Sequence, residues 1–115
     1  MKKIILDTNA LMAIAEFKID IFSELERICD FTYDLYILEG TIKELKKIME
    51  EQRQKFKRAA KLALAIVKAK GIKKIASSNY VDDVLVELSK KGDLILTQDI
   101  ELKKRLTKPY LTIRQ

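Results

Sequence analysis

The sequence predicts an α/β protein with a three-layer α/β/α fold around a central, mostly parallel sheet of four to five strands. Short apolar runs alternate with segments of helical periodicity, as expected when helices connect parallel strands. The first run, Ile4–Leu6, is continuously apolar, which is typical of a central parallel strand. At 115 residues, 48% of them hydrophobic, the chain is the size of one domain, predicted to span residues 1–115.

Each predicted element rests on a local signal. Asp20 is a good N-cap for a helix whose buried face would carry Ile21, Leu25 and Ile28. Gly71 and Gly92 are typical residues at which helices end. The predicted strands are 3–7, 33–38, 73–77, 94–97 and 110–113, and the predicted helices are 9–15, 21–29, 41–50, 53–70, 82–91 and 100–106.

Composition excludes several classes of chemistry and of setting. There is no histidine, and Cys29 is the only cysteine, so an internal disulfide and a Cys/His metal site are excluded. No apolar run approaches the ~20 residues of a membrane span, and no signal peptide is recognised at the start. We therefore expect a cytoplasmic protein without a membrane partner, whose chemistry depends on carboxylates, hydroxyls and Lys or Arg side chains.

Carboxylates recur where predicted strands or loops turn into helices. They are Asp7, Glu44, the pair Asp82 and Asp83, and Asp99. Because the carboxyl ends of parallel strands meet at one edge of a sheet, we expect these acids to gather there. Carboxylates without a counter-charge repel one another, and a divalent cation would relieve that repulsion.

Structural explanations for these acids remain open. Thr41-x-x-Glu44 matches a capping box. Asp82 and Asp83 open a helix, where negative charge is favourable, and Asp99 could cap the last helix. Asp7 ends an apolar strand of the predicted core sheet, where a structural role accounts for an acid less well than a functional role does.

Positive charge is concentrated between residues 52 and 74, which contain nine basic residues and no acidic one. Four of them fall within about 80° of arc on a helical wheel. The opposite face would carry Phe56 and three smaller apolar residues. A solvated helix face and a stripe that binds RNA phosphates are both consistent with this pattern, and the absence of acids favours the second. The basic stripe consists of Arg53, Lys57, Lys61 and Lys68.

The order and spacing of these motifs resemble the PIN-domain ribonucleases over nearly the whole chain. The motifs are Leu6-Asp7-Thr8-Asn9, Thr41-x-x-Glu44-Leu45, Val81-Asp82-Asp83-Val84-Leu85 and Leu96-Thr97-Gln98-Asp99. Residues 19–27 resemble the branch of the small-subunit rRNA-processing nuclease and its archaeal relatives more than the VapC toxin branch.

The resemblance implies a Mg²⁺- or Mn²⁺-dependent endoribonuclease in which two-metal-assisted water attack cleaves RNA phosphodiester bonds. It implies catalytic roles for Asp7, Glu44, Asp82 and Asp99, with Glu44 binding a second metal or holding a metal-bound water. The implied metal ligands are Asp7, Asp99 and one of the pair Asp82 and Asp83, with Asp82 favoured because it lies nearer the apolar helix face. Glu101 is a weaker extra candidate.

Supporting residues and partners follow from the same resemblance. Thr8, Asn9 and Thr97 would orient the ligands or contact phosphate. The implied partners are RNA, a second copy in a homodimer, and either ribosome-assembly factors or, for a toxin, an antitoxin.

Other functions fit the sequence less well. A haloacid-dehalogenase phosphatase needs Asp-x-Asp, but Asn9 occupies the second position. The glycines are too dispersed for a phosphate-binding loop. A receiver domain would not explain the basic helix. A catalytically silent RNA- or protein-binding member of the same fold remains the alternative from a different class.

Overall fold

The computed structural model describes residues 1–51, 53–78 and 80–112. Strands and helices alternate as predicted, with boundaries shifted by one or two residues at most ends. The strands are β1 (Lys2–Leu6), β2 (Tyr33–Leu38), β3 (Lys73–Ile75) and β4 (Leu94–Leu96), and the helices are α1 (Thr8–Phe17), α2 (Ile21–Ile28), α3 (Glu39–Glu51), α4 (Gln54–Ala69), α5 (Val81–Lys90) and α6 (Ile100–Arg105).

The four strands form one parallel sheet in the order β3-β2-β1-β4. The central position of β1 explains why Ile4, Ile5 and Leu6 are fully buried. Leu6 pairs with Leu96, so β1 and β4 end side by side. The residues that follow these two strands therefore emerge next to each other at the carboxyl edge of the sheet.

Helices cover both faces of the sheet, which confirms the three-layer α/β/α fold. Ile4 and Leu6 pack with apolar residues of α1, α2, α3 and α4 on one face. Ile5 points to the other face, where it packs with residues of α5 and α6. The alternation of consecutive β1 side chains between two cores is the period-two pattern of a strand buried on both sides.

Three details of the sequence prediction are wrong. The segment that begins at Tyr110 contributes only an isolated parallel bridge, Leu111 with Leu96, instead of a strand, and Ile113 lies outside the described residues. Ile28 and Phe56, which were expected on buried helix faces, are 50% and 40% exposed. Both lie near the ends of their helices, and neither belongs to the two core clusters.

Glycine is required at Gly40, in the first turn of α3. A β-carbon at this position would lie 2.6 Å from the carbonyl oxygen of Ser78 and 2.8 Å from Cγ2 of Val81. The amide of Gly40 also donates a 3.0 Å hydrogen bond to Oγ of Ser77. This close approach holds the start of α3 against the segment that leads into α5, so it brings two of the acid-bearing helices together.

The predicted helix signals at Asp20, Gly71 and Gly92 are confirmed. The side chain of Asp20 accepts a hydrogen bond from the amide of Ser23. Gly71 and Gly92 adopt φ angles of 61° and 99° just after α4 and α5, a conformation that favours glycine. Within the three described segments, none of the helices is long and apolar enough to cross a membrane.

Candidate active site

Asp7 lies at the centre of the carboxyl edge of the sheet. It follows β1 and is the N-cap residue of α1, but its side chain does not cap that helix. Its backbone amide donates a 3.0 Å hydrogen bond to the carbonyl oxygen of Leu96, which continues the pairing of β1 with β4. Although it is an acid, Asp7 is only 2% exposed.

Thr97 links Asp7 to Asp99. The buried Thr97 hydroxyl donates to Oδ2 of Asp7 at 2.7 Å, and Oγ1 of Thr97 accepts from the amide of Asp99 at 3.0 Å. Two acids separated by most of the sequence are therefore connected through one side chain.

Asp99 is the N-cap of α6, as the structural explanation proposed. Its Oδ1 accepts hydrogen bonds from the amides of Glu101 and Leu102 at 2.9 and 3.2 Å. Within the described segments, Oδ2 of Asp99 takes part in no hydrogen bond. Capping therefore leaves one carboxylate oxygen for another ligand. Glu101 pairs with Lys104.

The capping-box explanation for Glu44 is wrong. Helix α3 begins at Glu39, two residues before Thr41, so Thr41 lies inside the first turn. Its hydroxyl is buried and shares a 3.1 Å hydrogen bond with the hydroxyl of Thr8. Glu44 is thereby left one turn into the helix, with its half-buried side chain beside Thr8 and facing the acids.

Asp82 and Asp83 differ in their surroundings. Oδ1 of Asp83 lies 2.6 Å from Nη2 of Arg105, so this acid has a counter-charge. Asp82 is exposed, yet the protein covers enough of its carboxylate for desolvation to raise its pKa, and the charge of Asp99 raises it further. Asp82 thus belongs electrostatically to the group of acids, whereas Asp83 is paired.

Mutual repulsion also affects the other acids. Burial is the main cause that raises the pKa of Asp7, and the charges of Asp82 and Asp99 add to it, against the lowering effect of the Thr97 hydrogen bond. Burial raises the pKa of Glu44 as well, with contributions from Asp7 and Asp82. The four acids expected at this edge therefore lie within electrostatic range of one another.

An open cleft of about 440 Å³ is lined by Asp7, Glu44 and Asp82, whereas Asp99 is not among its lining residues. Among its lining residues, Tyr80 and Arg105 were given no role by the sequence analysis. Tyr80 belongs to none of the sequence motifs and is 74% exposed. Arg105 follows Lys103 and Lys104 in the sequence, and its ion pair with Asp83 of α5 places it at the cleft. The lining residues are Asp7, Thr8, Asn9, Glu44, Tyr80, Val81, Asp82, Asp83 and Arg105.

The donor chemistry of the cleft suits a hard divalent cation, because carboxylate oxygens are the ligands that Mg²⁺ and Mn²⁺ prefer. In the part of the chain that the structure describes, no three acidic or thiol side chains converge into a ready-made metal cluster. Mg²⁺ sites commonly use one or two carboxylates, several waters and a substrate phosphate. The residues present fit that open kind of site and not a closed protein cage.

Comparison with known proteins agrees with this arrangement. The sequence profile of the family described as "PIN like domain" matches residues 4–115. The chain belongs to the PIN-like domain family. Ribonuclease VapC4 of Methanocaldococcus jannaschii is 30% identical to it over 121 residues, an alignment that covers 100% of this chain and 92% of the relative. This PIN-domain chain is therefore homologous to a VapC-type ribonuclease.

Two solved structures show the same PIN fold. The PIN domain endonuclease Utp24 superposes with a TM-score of 0.71 at 22% identity, covering 98% of this chain and 86% of that chain. VapBC2 from Rickettsia felis, bound to a DNA fragment from its promoter, gives a TM-score of 0.58 at 16% identity, with coverage of 96% and 97%. At these identities the likeness concerns the fold, and the branch of the PIN family stays a prediction.

The basic stripe lies outside the cleft of this PIN domain. Helix α4 packs against α1 and α3, and its buried face is formed by Ala59, Ala60, Ala63 and Val67. Lys61 and Lys68 are exposed and Lys57 is half-buried. Of the residues that the structure describes, none from α4 lines the cleft. Any contact between the stripe and RNA would therefore involve nucleotides beyond those held in the cleft.

Proposed function

We propose that this PIN-domain protein is a metal-dependent endoribonuclease that cleaves RNA phosphodiester bonds by metal-assisted water attack. The observation that carries the proposal is that Asp7, Glu44 and Asp82 line one cleft, while Asp99 is connected to Asp7 through Thr97. Burial raises the pKa of the three acids that line the cleft, and the charges of neighbouring acids raise it further. Such a concentration of destabilised carboxylates is typical of functional sites.

Asp7, Asp82 and Asp99 are the residues proposed to hold Mg²⁺ or Mn²⁺. When bound, the cation supplies a more acidic water and stabilises negative charge on the phosphate. Thr97 fixes the orientation of the Asp7 carboxylate through its 2.7 Å hydrogen bond. Thr8 and Asn9 line the cleft beside Asp7, where their side chains can orient a water molecule or a phosphate oxygen.

Glu44 is proposed to accept and release the proton of the attacking water. Burial raises its pKa, which brings the carboxylate nearer to the range in which a general base operates, and Thr8 lies close enough to favour the ionised form. Glu44 lies on α3, which packs on one face of the sheet, whereas Asp99 caps α6, which packs on the other face. A role for Glu44 different from that of Asp99 agrees with this arrangement.

RNA with unpaired bases is the proposed substrate class. Tyr80 presents a 74% exposed ring at the cleft, and unpaired bases stack on such rings. The basic stripe on α4 would bind phosphates along the same strand. Tyr80→Ala should weaken binding of single-stranded RNA by about 1–3 kcal/mol per stacked base, whereas Tyr80→Phe should not. Equal binding by both variants would remove Tyr80 from the proposal.

Two physiological roles are proposed for the nuclease. The first is rRNA processing, for which residues 19–27 carry the resemblance. The second is a VapC-type toxin, which the 30% identity to VapC4 favours. A toxin predicts growth arrest on expression, relieved by Asp7→Asn, and a small antitoxin gene beside its own. A processing nuclease predicts neither.

Cleavage of RNA by the purified protein tests the proposal. The protein should cut single-stranded RNA with Mn²⁺ or Mg²⁺, stop with EDTA, and lose activity in Asp7→Asn while retaining its fold by circular dichroism. RNA binding without cleavage under any divalent metal would favour the catalytically silent member of the fold. Cleavage that persists in Asp7→Asn would contradict the assignment of the site.

A further inference from the structure

Arg105 is the only basic side chain among the described residues that line the acidic cleft. It is the last residue of α6, and its guanidinium reaches Asp83 in the first turn of α5. Arg105 belongs to the basic cluster Lys103-Lys104-Arg105, whose member Lys104 pairs with Glu101 outside the cleft. The fold therefore selects one cation from this cluster and places it beside the acids.

The geometry of the ion pair leaves the guanidinium available to a ligand. Nη2 donates to Oδ1 of Asp83 at 2.6 Å, and within the described segments Arg105 makes no other hydrogen bond. A guanidinium has five N–H donors, so several remain for an oxyanion. The Arg105 and Asp83 side chains are 48% and 65% exposed, and an exposed pair of this kind contributes little to stability.

A phosphodiester that enters this cleft meets several negative charges. Asp82 and Asp83 both lie close enough to Arg105 to affect its electrostatics, and Arg105 in turn lowers the pKa of Asp82. A fixed cation at this position would offset the repulsion of the incoming phosphate. Arginine suits this task better than lysine because its planar fork binds two phosphate oxygens at once.

We propose that Arg105 binds a non-bridging oxygen of an RNA phosphate in the cleft, and that Asp83 is a positioning residue that holds the guanidinium toward the acids. This inference rests on the proposed ribonuclease function. It gives Asp83 a role different from that of Asp82.

RNA binding without metal tests the phosphate contact independently of cleavage. In the Asp7→Asn background with EDTA, Arg105→Ala should lower the affinity for a fluorescent single-stranded RNA about five- to tenfold. The slope of log affinity against log salt should fall by about 0.7, as expected for the loss of one phosphate contact. Arg105→Lys should keep the salt slope with a lower affinity. Lys104→Ala, the control from the same helix, should change both quantities less than Arg105→Ala.

Cleavage kinetics test the positioning role of Asp83. Asp83→Asn should lower kcat about fivefold or more without weakening RNA binding, because the guanidinium remains but is no longer held in place. An unchanged kcat would overturn this role. Should Arg105→Ala fail to fold, as judged by its melting temperature, Arg105→Gln replaces it in both assays.

The outcomes separate this inference from the proposed function. If the wild-type protein cleaves no RNA with any divalent metal, the proposed function fails and the binding assay still decides the role of Arg105. If the wild type cleaves RNA and Arg105→Ala binds and cleaves like Lys104→Ala, the assignment of Arg105 is wrong while the nuclease stands.

Discussion

The hydroxyl of Thr97 donates a 2.7 Å hydrogen bond to Oδ2 of Asp7, a residue 90 positions earlier in the chain. The hydroxyl oxygen of Thr97 accepts a hydrogen bond from the amide of Asp99. This relationship exists because β1 and β4 are neighbours in the sheet and end in register. It fixes the carboxylate of one candidate ligand and the backbone of another.

Thr97→Val should remove this link with little change in shape. A buried hydrogen bond to a charged group is worth about 1.5–3 kcal/mol, so the free energy of unfolding at pH 7 should fall by that amount. Activity should fall about 10–100-fold, as when a residue that orients metal ligands is lost. Chemical denaturation and RNA cleavage measure the two effects. Thr32→Val, at an exposed threonine before β2, is the control, and similar losses in both variants would contradict the role of Thr97.

Asp7→Asn should stabilise the metal-free protein, and increasingly so as pH rises. The folded protein raises the pKa of Asp7 above its ordinary value of 3.8, so the folded state binds the proton more tightly than the unfolded state. The contribution of Asp7 to stability is therefore fully present below pH 3.8 and is lost as pH rises through the folded pKa, by about 1.4 kcal/mol per unit of pKa difference. Asparagine cannot ionise and avoids that loss.

Thermal melts between pH 4 and pH 8 in EDTA measure this difference. Glu44 and Asp82 have pKa values raised in the same direction, so Asp7→Asn should reduce the pH dependence without abolishing it. Asp30→Asn, at an exposed acid before β2, should follow the wild-type curve. A pH dependence of Asp7→Asn that equals the wild type would show that Asp7 does not carry this destabilisation.

Divalent metal should stabilise the wild type and Asp83→Asn but not Asp82→Asn. A ligand at ten times its dissociation constant stabilises a protein by about 1.4 kcal/mol, which is measurable as an increase in melting temperature with Mn²⁺ or Mg²⁺. Within residues 1–51, 53–78 and 80–112, Asp82 forms no ion pair comparable to that of Asp83, so its charge is the one available to the metal. If metal stabilised Asp82→Asn but not Asp83→Asn, Asp83 would be the metal ligand instead of Asp82.

Gly40→Ala should destabilise the protein and reduce its activity. The added methyl group would lie 2.6 Å from a backbone carbonyl oxygen, so α3 and the segment before α5 must separate. Overpacking of this kind costs about 1–3 kcal/mol. Because the shift of α3 would also move Glu44, the rate of RNA cleavage should fall by more than the loss of folded protein accounts for. Gly92→Ala, at a positive φ after α5, should lower stability with activity per folded molecule unchanged.

Charge reversal on the basic stripe should weaken RNA binding. Lys57→Glu with Lys61→Glu removes two cations and adds two anions on α4, so affinity and its salt dependence should both fall if the stripe follows the RNA backbone. Lys2→Glu with Lys90→Glu makes the same charge change at the other end of the sheet from the acids. If the two double variants bind RNA equally, the α4 face is a solvated surface.

Elements with strong local signals could be predicted from sequence. The apolar run of β1, the cap at Asp20 and the helix ends at Gly71 and Gly92 were all predicted correctly because their causes lie within a few residues. The capping box predicted at Thr41 was wrong because α3 begins two residues earlier, at Glu39. Gly40, in the first turn of this helix, contacts Ser77 and Ser78, which are far away in the sequence.

The sequence by itself determined the six helices and the first four strands, and that acids lie near the edge where the parallel strands end. That much follows from apolar periodicity and from the direction of a parallel sheet, which are properties of local segments. Only the tertiary structure decided that Thr97 connects Asp7 with Asp99, and that Asp83 is paired with Arg105 while Asp82 is not. These relationships depend on the packing of segments far apart in the chain, and no local pattern encodes the distance between them.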